Sequence, residues 1–470
     1  MIVILGGGLS GLTAGYVLTQ AGRPATVIEK ETTVGGLART MSYKDHRFDL
    51  GGHRFLTNDR KINQLVQELL GEDLLTVPRK SRIYFGDRSV DYPLTPANAV
   101  FGLGVAVTVR ILLDYGKEKA VALVKPRTKT SLEDWVVAQF GRTMFDLYFK
   151  DYSEKVWGIG CNAIDMDWIA QRIDGLSLSQ VIKTAFSKVR GREVKTLTDT
   201  FHYPRWGIGQ LADKLGEAIG KTNRVMTGTA VTRIHHRSHR ITAVEAEEGC
   251  RHHVIEGDDY VTSIPMTRLL DFLSPRPPEA VLEAASRLAY RDLVTVTVLA
   301  DRERVTDLTW LYLPQKEVPF GRIHEPTNWS PNMAPKGKTH LVAEYFCNWG
   351  DAVWSAGDDQ LESLTVEHLE RLGLIRRRDV TGSCVTRIRH AYPLFKIGYR
   401  EEVRTIANYL ARLENLYVVG RSGMFRYLNM DPAMGSGLEA AERLLRRPDA
   451  SRISKHPGPI QAPIPEAVSP

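Results

Sequence analysis

An α/β fold is predicted for this chain: a discontinuous Rossmann-type nucleotide-binding domain, a mixed α+β substrate domain and a helical cap. Three observations predict it. The apolar run Met1-Ile2-Val3-Ile4-Leu5 enters Gly6-Gly7-Gly8-Leu9-Ser10-Gly11 and then the helical stretch Leu12 to Ala21. A second apolar run, Ala25-Thr26-Val27-Ile28, ends on Glu29. Strand patterns suited to the same sheet return at Asp259–Pro265 and Leu416–Gly420. Strand, glycine turn, helix, strand and acid is the order of a dinucleotide-binding βαβ unit.

The glycines have separable roles. Gly6 permits the tight turn off the strand, Gly8 leaves the backbone open to a pyrophosphate, and Gly11 lets the helix lie close to the sheet. The free N–H groups at the helix start then face the phosphates. Glu29 stands 18 residues past Gly11, close to the usual spacing of the acid that takes the ribose hydroxyls. A second glycine pair follows in Val34-Gly35-Gly36-Leu37-Ala38-Arg39. It offers another close backbone approach, and Arg39 can pair with a phosphate or lie near a flavin. A plain NAD-binding fold does not need this pair, so the combination points to FAD.

At 470 residues the chain has room for two or three domains. Its 43% hydrophobic and 25% charged content is that of an ordinary globular protein. The net charge of +7 suits an anionic cofactor and does not call for nucleic acid, for which no motif is present. Cys161, Cys250, Cys347 and Cys384 lie far apart with no metal-ligand spacing, so neither a metal site nor a disulfide framework is expected. Free thiols and a first strand starting at Met1 point to a cytoplasmic protein without a signal peptide. Tyr92 to Val109 carries no charged residue but is broken by Pro93 and Pro96, too short for a membrane span. A buried or interfacial helix is expected there, with membrane contact the less favoured reading.

Arg79 to Leu94 has the alternation and Gly86-Asp87 turn of a hairpin. Residues 95 to 200 read as mainly helical, with a capping box at Ser131-Leu132-Glu133-Asp134. Val225 to Pro265 returns to β-type alternation, and Leu293–Leu299, Thr309–Leu313 and Thr339–Tyr345 are further strands. A helix is expected over Gly437–Leu445. His235, His236, His239, His252 and His253 read as solvated hairpin residues rather than ligands. The expected division is 1–80, 205–265 and 410–446 for the FAD domain, 81–204 and 266–409 for the substrate and cap region, and a disordered tail at 447–470.

The glycine turn, the acid and the GG-x-x-R segment together resemble the FAD enzymes of the amine oxidase superfamily. Gly420-Arg421-Ser422-Gly423 followed by Phe425-Arg426-Tyr427-Leu428-Asn429-Met430-Asp431 resembles the closing segment of the UDP-galactopyranose mutases. So do Gly51-Gly52-His53, Phe149-Lys150 with Tyr152 and Trp157-Gly158, Arg322-Ile323-His324-Glu325, and Glu344-Tyr345. Gly35-Gly36-Leu37-Ala38-Arg39, Gly51-Gly52-His53 and Ala391-Tyr392-Pro393 lean towards protoporphyrinogen-oxidase-like members.

The resemblance implies an FAD site built from Gly6, Gly8, Leu9, Ser10, Gly11, Glu29 and Lys30, then Gly36, Leu37, Ala38 and Arg39. Gly52, His53 and Val231 continue it, and Gly420, Arg421, Leu428, Asn429 and Met430 close it. His53 would lie beside the flavin and Arg421 near the reacting ring, the two catalytic positions. Tyr152, Trp157, Arg172, Arg322, Tyr345 and Tyr427 would bind substrate, with Arg322 and the phenols gripping a diphosphate. No acid/base dyad stands out. The leading expectation is an FAD-dependent oxidoreductase that removes a hydride from a sugar-containing or other anionic small metabolite, a nucleotide sugar among them. A non-redox sugar mutase using reduced flavin, and an oxidase or desaturase of an apolar polycyclic or polyprenyl substrate, stay open.

Overall fold

The computed structural model describes residues 1–85, 88–92, 105–124, 130–170 and 200–447. Five short strands form a parallel sheet in the order Leu416–Val418, Asp259–Thr262, Ile2–Leu5, Ala25–Ile28, Arg224–Met226. Ile2 sits opposite both Ala25 and Asp259, so the first strand is central. Its residues and those of Ala25–Ile28 are all buried, as a parallel sheet covered on both faces requires. The helix Leu9–Gln20 crosses one face, packed against the helices Gly209–Gly220 and Met430–Arg446. The nucleotide fold is thus closed by strands more than two hundred residues apart.

The sequence-expected β region after Val225 becomes a four-stranded sheet running Arg251–Glu256, Arg240–Glu248, Thr229–Arg237 and Leu273–Ser274. Its histidines are bound across strands: His235 Nε2 lies 2.6 Å from Glu245, and His253 Nε2 lies 3.1 Å from Glu248.

A seven-stranded sheet forms the second half of the molecule. Its order is Val380–Leu394, Ala289–Ala300, Thr339–Cys347, Arg322–His324, Trp310–Tyr312 and the hairpin Ser81–Phe85 with Arg88–Tyr92. One face buries Val294, Val296, Val298, Leu341, Ala343 and Tyr345 with Leu361, Val366 and Leu369 of the helix Asp358–Arg371. On the other face, Leu293 and Phe346 pack with Leu50, while Glu344 donates nothing and accepts from Gly52 N–H. That second face meets the segment that runs through Leu50 and Gly52.

The Ser131 capping box is formed, with Asp134 N–H 3.0 Å from Ser131 Oγ and Ser131 N–H 3.1 Å from Asp134 Oδ2. It starts the helix Leu132–Phe140, and the helix Asp151–Trp157 follows. The final helix begins at Met430, seven residues before the expected Gly437. Of the uncharged stretch, the helix Val105–Val124 is described; its preceding twelve residues, Arg172, and the tail from residue 448 lie outside the described residues. Among the described residues, no helix is long and apolar enough to cross a membrane.

Candidate active site

The glycine turn is built to receive a flat anionic group. Gly6 has φ +106°, a conformation that turns the chain off its strand and that side chains disfavour. Glu29, 6% exposed, fixes the turn: Gly7 N–H donates to Oε2 at 2.7 Å and Glu31 N–H to Oε1 at 2.9 Å. Gly8 and Gly35 bridge, and the space where a Gly8 side chain would stand holds only Gly36 Cα at 4.0 Å. That open cradle at a helix start, with an ionisable carboxyl beside it, fits a dinucleotide phosphate and ribose. Leu9, Ser10 and Gly11 form the first turn of the helix behind it.

The remaining expected cofactor residues fall into two groups. Arg39 is held beside the glycines, its Nε donating to Gly36 O at 2.9 Å and its Nη1 to Glu31 at 3.1 Å. Leu37 packs at the cap core and Ala38 at the nucleotide core. Lys30 is exposed and pairs with Glu31. Val231 lies in the neighbouring sheet opposite Ala246, at the edge of a bulge. At the far end of the chain, Gly420 N–H donates to Ser436 Oγ at 3.0 Å, which locks the loop to the final helix. Asn429 precedes that helix and Met430 begins it, so its N–H groups open where the loop returns.

His53 follows Gly51-Gly52. Its Nδ1 lies 3.0 Å from Gly51 O, so Nδ1 carries the hydrogen and Nε2 is the accepting nitrogen. Burial, then the nearby Arg421 charge, push its pKa down to about 4. His53 is therefore a neutral imidazole at pH 7. Arg421 is a clamp: Nε donates to Leu428 O at 2.7 Å and Nη1 to Ala391 O at 3.1 Å. Its guanidinium lies 4.9 Å from the Tyr427 ring and 5.6 Å from the Tyr392 ring. These two phenols stack, with centroids 5.8 Å apart and planes 4° from parallel.

Beside them opens a cavity walled by Tyr152, Ser153, Val156, Trp157, Trp168, Arg322, Phe346, Tyr392 and Tyr427. The structure thus gathers Tyr152, Trp157, Arg322 and Tyr427 from the expected substrate set. Arg322 is 15% exposed and already compensated: it pairs with buried Glu344 and donates to Tyr392 OH at 2.9 Å. Burial alone would raise the Glu344 pKa, but the Arg322 charge and the His324 and Gly52 hydrogen bonds bring it down to about 2. The same carboxylate raises Arg322 against its own desolvation. Two buried N–H donors of the wall, Arg322 Nε and Trp157 Nε1, have no hydrogen-bond partner among the described residues. Buried donors of this kind are ordinarily satisfied, by protein, water or ligand.

One expected substrate residue is corrected. The Tyr345 hydroxyl bonds Thr365 Oγ1 at 2.7 Å under the helix Asp358–Arg371, on the opposite face of the sheet from Arg322. Strand alternation is the reason: Arg322 is directly opposite Glu344, so Glu344 shares its face and Tyr345 cannot. A diphosphate grip made of Arg322, Tyr345 and Tyr427 is not assembled. Tyr392, Phe346, Trp168 and Glu344 are site residues that the sequence reading passed over. No local signal marked Glu344 and Phe346, because every residue of their strand is buried.

Residues 9–445 match the family model described as flavin containing amine oxidoreductase. A curated relative, coproporphyrinogen III oxidase of Bacillus subtilis, is 23% identical over 463 residues, covering 90% of this chain and 93% of the relative. A structure titled reduced UDP-galactopyranose mutase superposes with a TM-score of 0.80 at 20% identity, covering 94% of this chain and 93% of the other. A putative protoporphyrinogen oxidase from an Exiguobacterium species gives 0.70 at 15% identity, covering 94% and 98%. At these identities the structural likenesses establish the fold. The family match spans nearly the whole chain and brings a flavin with it. The chain belongs to the flavin-containing amine oxidoreductase family and is a flavin-dependent enzyme.

Proposed function

We propose that this enzyme is an FAD-dependent oxidoreductase that takes a hydride from a flat, largely apolar small molecule bearing an oxygen-rich anionic group. The observation that carries this reading is the cavity wall: parallel Tyr392 and Tyr427 rings beside two unpartnered N–H donors, Arg322 Nε and Trp157 Nε1. Rings favour a flat apolar body. The two donors favour a carboxylate or carbonyl oxygen. The anionic group expected from the sequence is retained, but the parallel Tyr392 and Tyr427 rings favour a flat body over a sugar. Full compensation of Arg322 by Glu344 also argues against a doubly charged diphosphate.

FAD is the flavin that fits, since the Gly8 cradle and Glu29 suit a dinucleotide. Bound FAD supplies a two-electron hydride acceptor. The protein's share is positioning. Tyr392 and Tyr427 restrict the plane of the substrate, while Arg322, held by Glu344, fixes its charged end. Arg421 anchors the loop carrying Tyr427 through Leu428 O and ties it to Ala391, next to Tyr392. His53, neutral at working pH, presents an accepting nitrogen and adds no positive charge. The curated relative and one structural relative are named as porphyrinogen oxidases. A flat porphyrinogen is accordingly the first probe.

The test is anaerobic mixing of oxidised, flavin-loaded enzyme with coproporphyrinogen III, and separately with UDP-galactose. Bleaching of the flavin by the porphyrinogen is expected, with none from the nucleotide sugar. Interconversion of UDP-galactose ring forms by dithionite-reduced enzyme, with no oxidant consumed, would replace this reading with the mutase.

A further inference from the structure

The helix Val105–Val124 has two apolar faces, and among the described residues only one is covered. Thr108 and Ile111 are buried and Tyr115 is half-buried, on the side that packs against the helix Leu132–Phe140 and the turn Arg142–Met144. The opposite side carries Ala106, Val109, Leu113, Gly116 and Ala120, all exposed. Their spacing of three, four, three and four residues aligns them as one stripe along the helix. Leu112 widens it. Leu113 is 70% exposed, Val109 49% and Leu112 43%. An apolar stripe turned to water marks an interaction surface rather than an ordinary solvated face.

The charges around it are sorted by sign. Arg110 and Lys117, both exposed, border one edge of the stripe; Lys119 stands at the other, its ammonium donating to Ala138 O at 3.2 Å. The two acids of the helix are turned inward. Asp114 accepts from Thr143 N–H at 2.8 Å and from its hydroxyl at 2.6 Å, and Glu118 is half-buried. An apolar stripe between cationic rims is the pattern of a helix lying in the surface of an anionic bilayer. Pairing this face with a second copy of itself would bring the Arg110 and Lys117 charges of both copies together. We propose that the helix Val105–Val124 docks this enzyme on an anionic lipid surface, with Leu113 and its neighbours inserted and Arg110 and Lys117 on the headgroups. The proposal does not depend on the substrate reading.

The test is co-sedimentation of the full-length, flavin-loaded protein with vesicles of phosphatidylcholine alone and of phosphatidylcholine mixed with phosphatidylglycerol. Binding to the mixed vesicles, released by salt, is expected. Leu113→Asp should lower that partitioning about tenfold or more, and the pair Arg110→Glu with Lys117→Glu should lower it by a similar factor. Both variants should keep the flavin spectrum and melting temperature of the parent, since every altered side chain is exposed. No sedimentation with the mixed vesicles, or binding that neither variant weakens, overturns the proposal. So does a concentration-dependent dimer in light scattering that Leu113→Asp abolishes, which would assign the stripe to a second copy.

Discussion

The charge of the cavity is set by one pair. Arg322 carries its guanidinium to the wall, and Glu344, 0% exposed, neutralises it from behind. Removing the carboxylate leaves a buried cation with no balance. Glu344→Gln should therefore cost about 3 kcal/mol of stability, read as a fall in melting temperature. Arg322→Lys keeps the charge but loses the fork and the Nε donor. It should raise the KM for the oxidised substrate about tenfold or more while leaving flavin content unchanged, because one charge-assisted hydrogen bond carries roughly that much. Gly8 provides the contrasting case. The protein itself leaves room for a side chain there. Gly8→Val should give a protein that melts like the flavin-free parent but copurifies with no flavin; a yellow Gly8→Val protein would remove the phosphate cradle from this turn. Residue identities at the turn were readable because each glycine answers a local backbone demand. Tyr345 was misassigned because its strand is buried on both faces, so polarity does not mark which side faces the cavity.

Elements carry the site by gripping one another. The helices Leu9–Gln20 and Met430–Arg446 cross so closely that a Cβ on Gly437 would overlap the Ser10 carbonyl oxygen. Gly437→Ala should push the helices apart, at a cost of about 1–3 kcal/mol for overpacking, and weaken flavin retention; calorimetry and the flavin-to-protein absorbance ratio would measure both. On the cap side, the Lys155 ammonium donates to the carbonyls of Leu313 and Val318, and to Gln315 between them. It thereby ties the helix bearing Tyr152 and Trp157 to the loop that leads into Arg322. Burial draws its pKa down to about 8. Capping and turn chemistry made the Ser131 box and the Ser81–Tyr92 hairpin legible in advance. The start of the last helix was not, because Asn429 has no side-chain cap bond to announce it.

At the scale of the molecule, the acid stability of the seven-stranded sheet should follow the Arg322–Glu344 pair, whose members stand opposite each other on adjacent strands and line the face that carries the cavity. The folded-state pKa of Glu344, about 2, lies below its ordinary value of 4.5. Its ionisation therefore adds stability that is complete above about pH 4.5 and is lost as pH falls towards 2. Melting temperatures of the parent and Glu344→Gln should differ widely at pH 7 and converge near pH 2 to 3. A difference that stays constant across that range would show that the carboxylate's charge is not what stabilises this face of the sheet.

The sequence by itself determined the parallel nucleotide sheet, the glycine turn, Glu29 and the closing loop near Gly420, since these rest on short-range rules of turn, helix start and strand period. Only the tertiary structure decided the substrate wall. Tyr152, Arg322, Phe346, Tyr392 and Tyr427 come from a helix, three strands and a loop spread over 276 positions, and no local pattern marks residues that meet through sheet order and strand register. Which face of a fully buried strand looks into a cavity is fixed by its neighbours. That is why Glu344, and not Tyr345, stands behind Arg322.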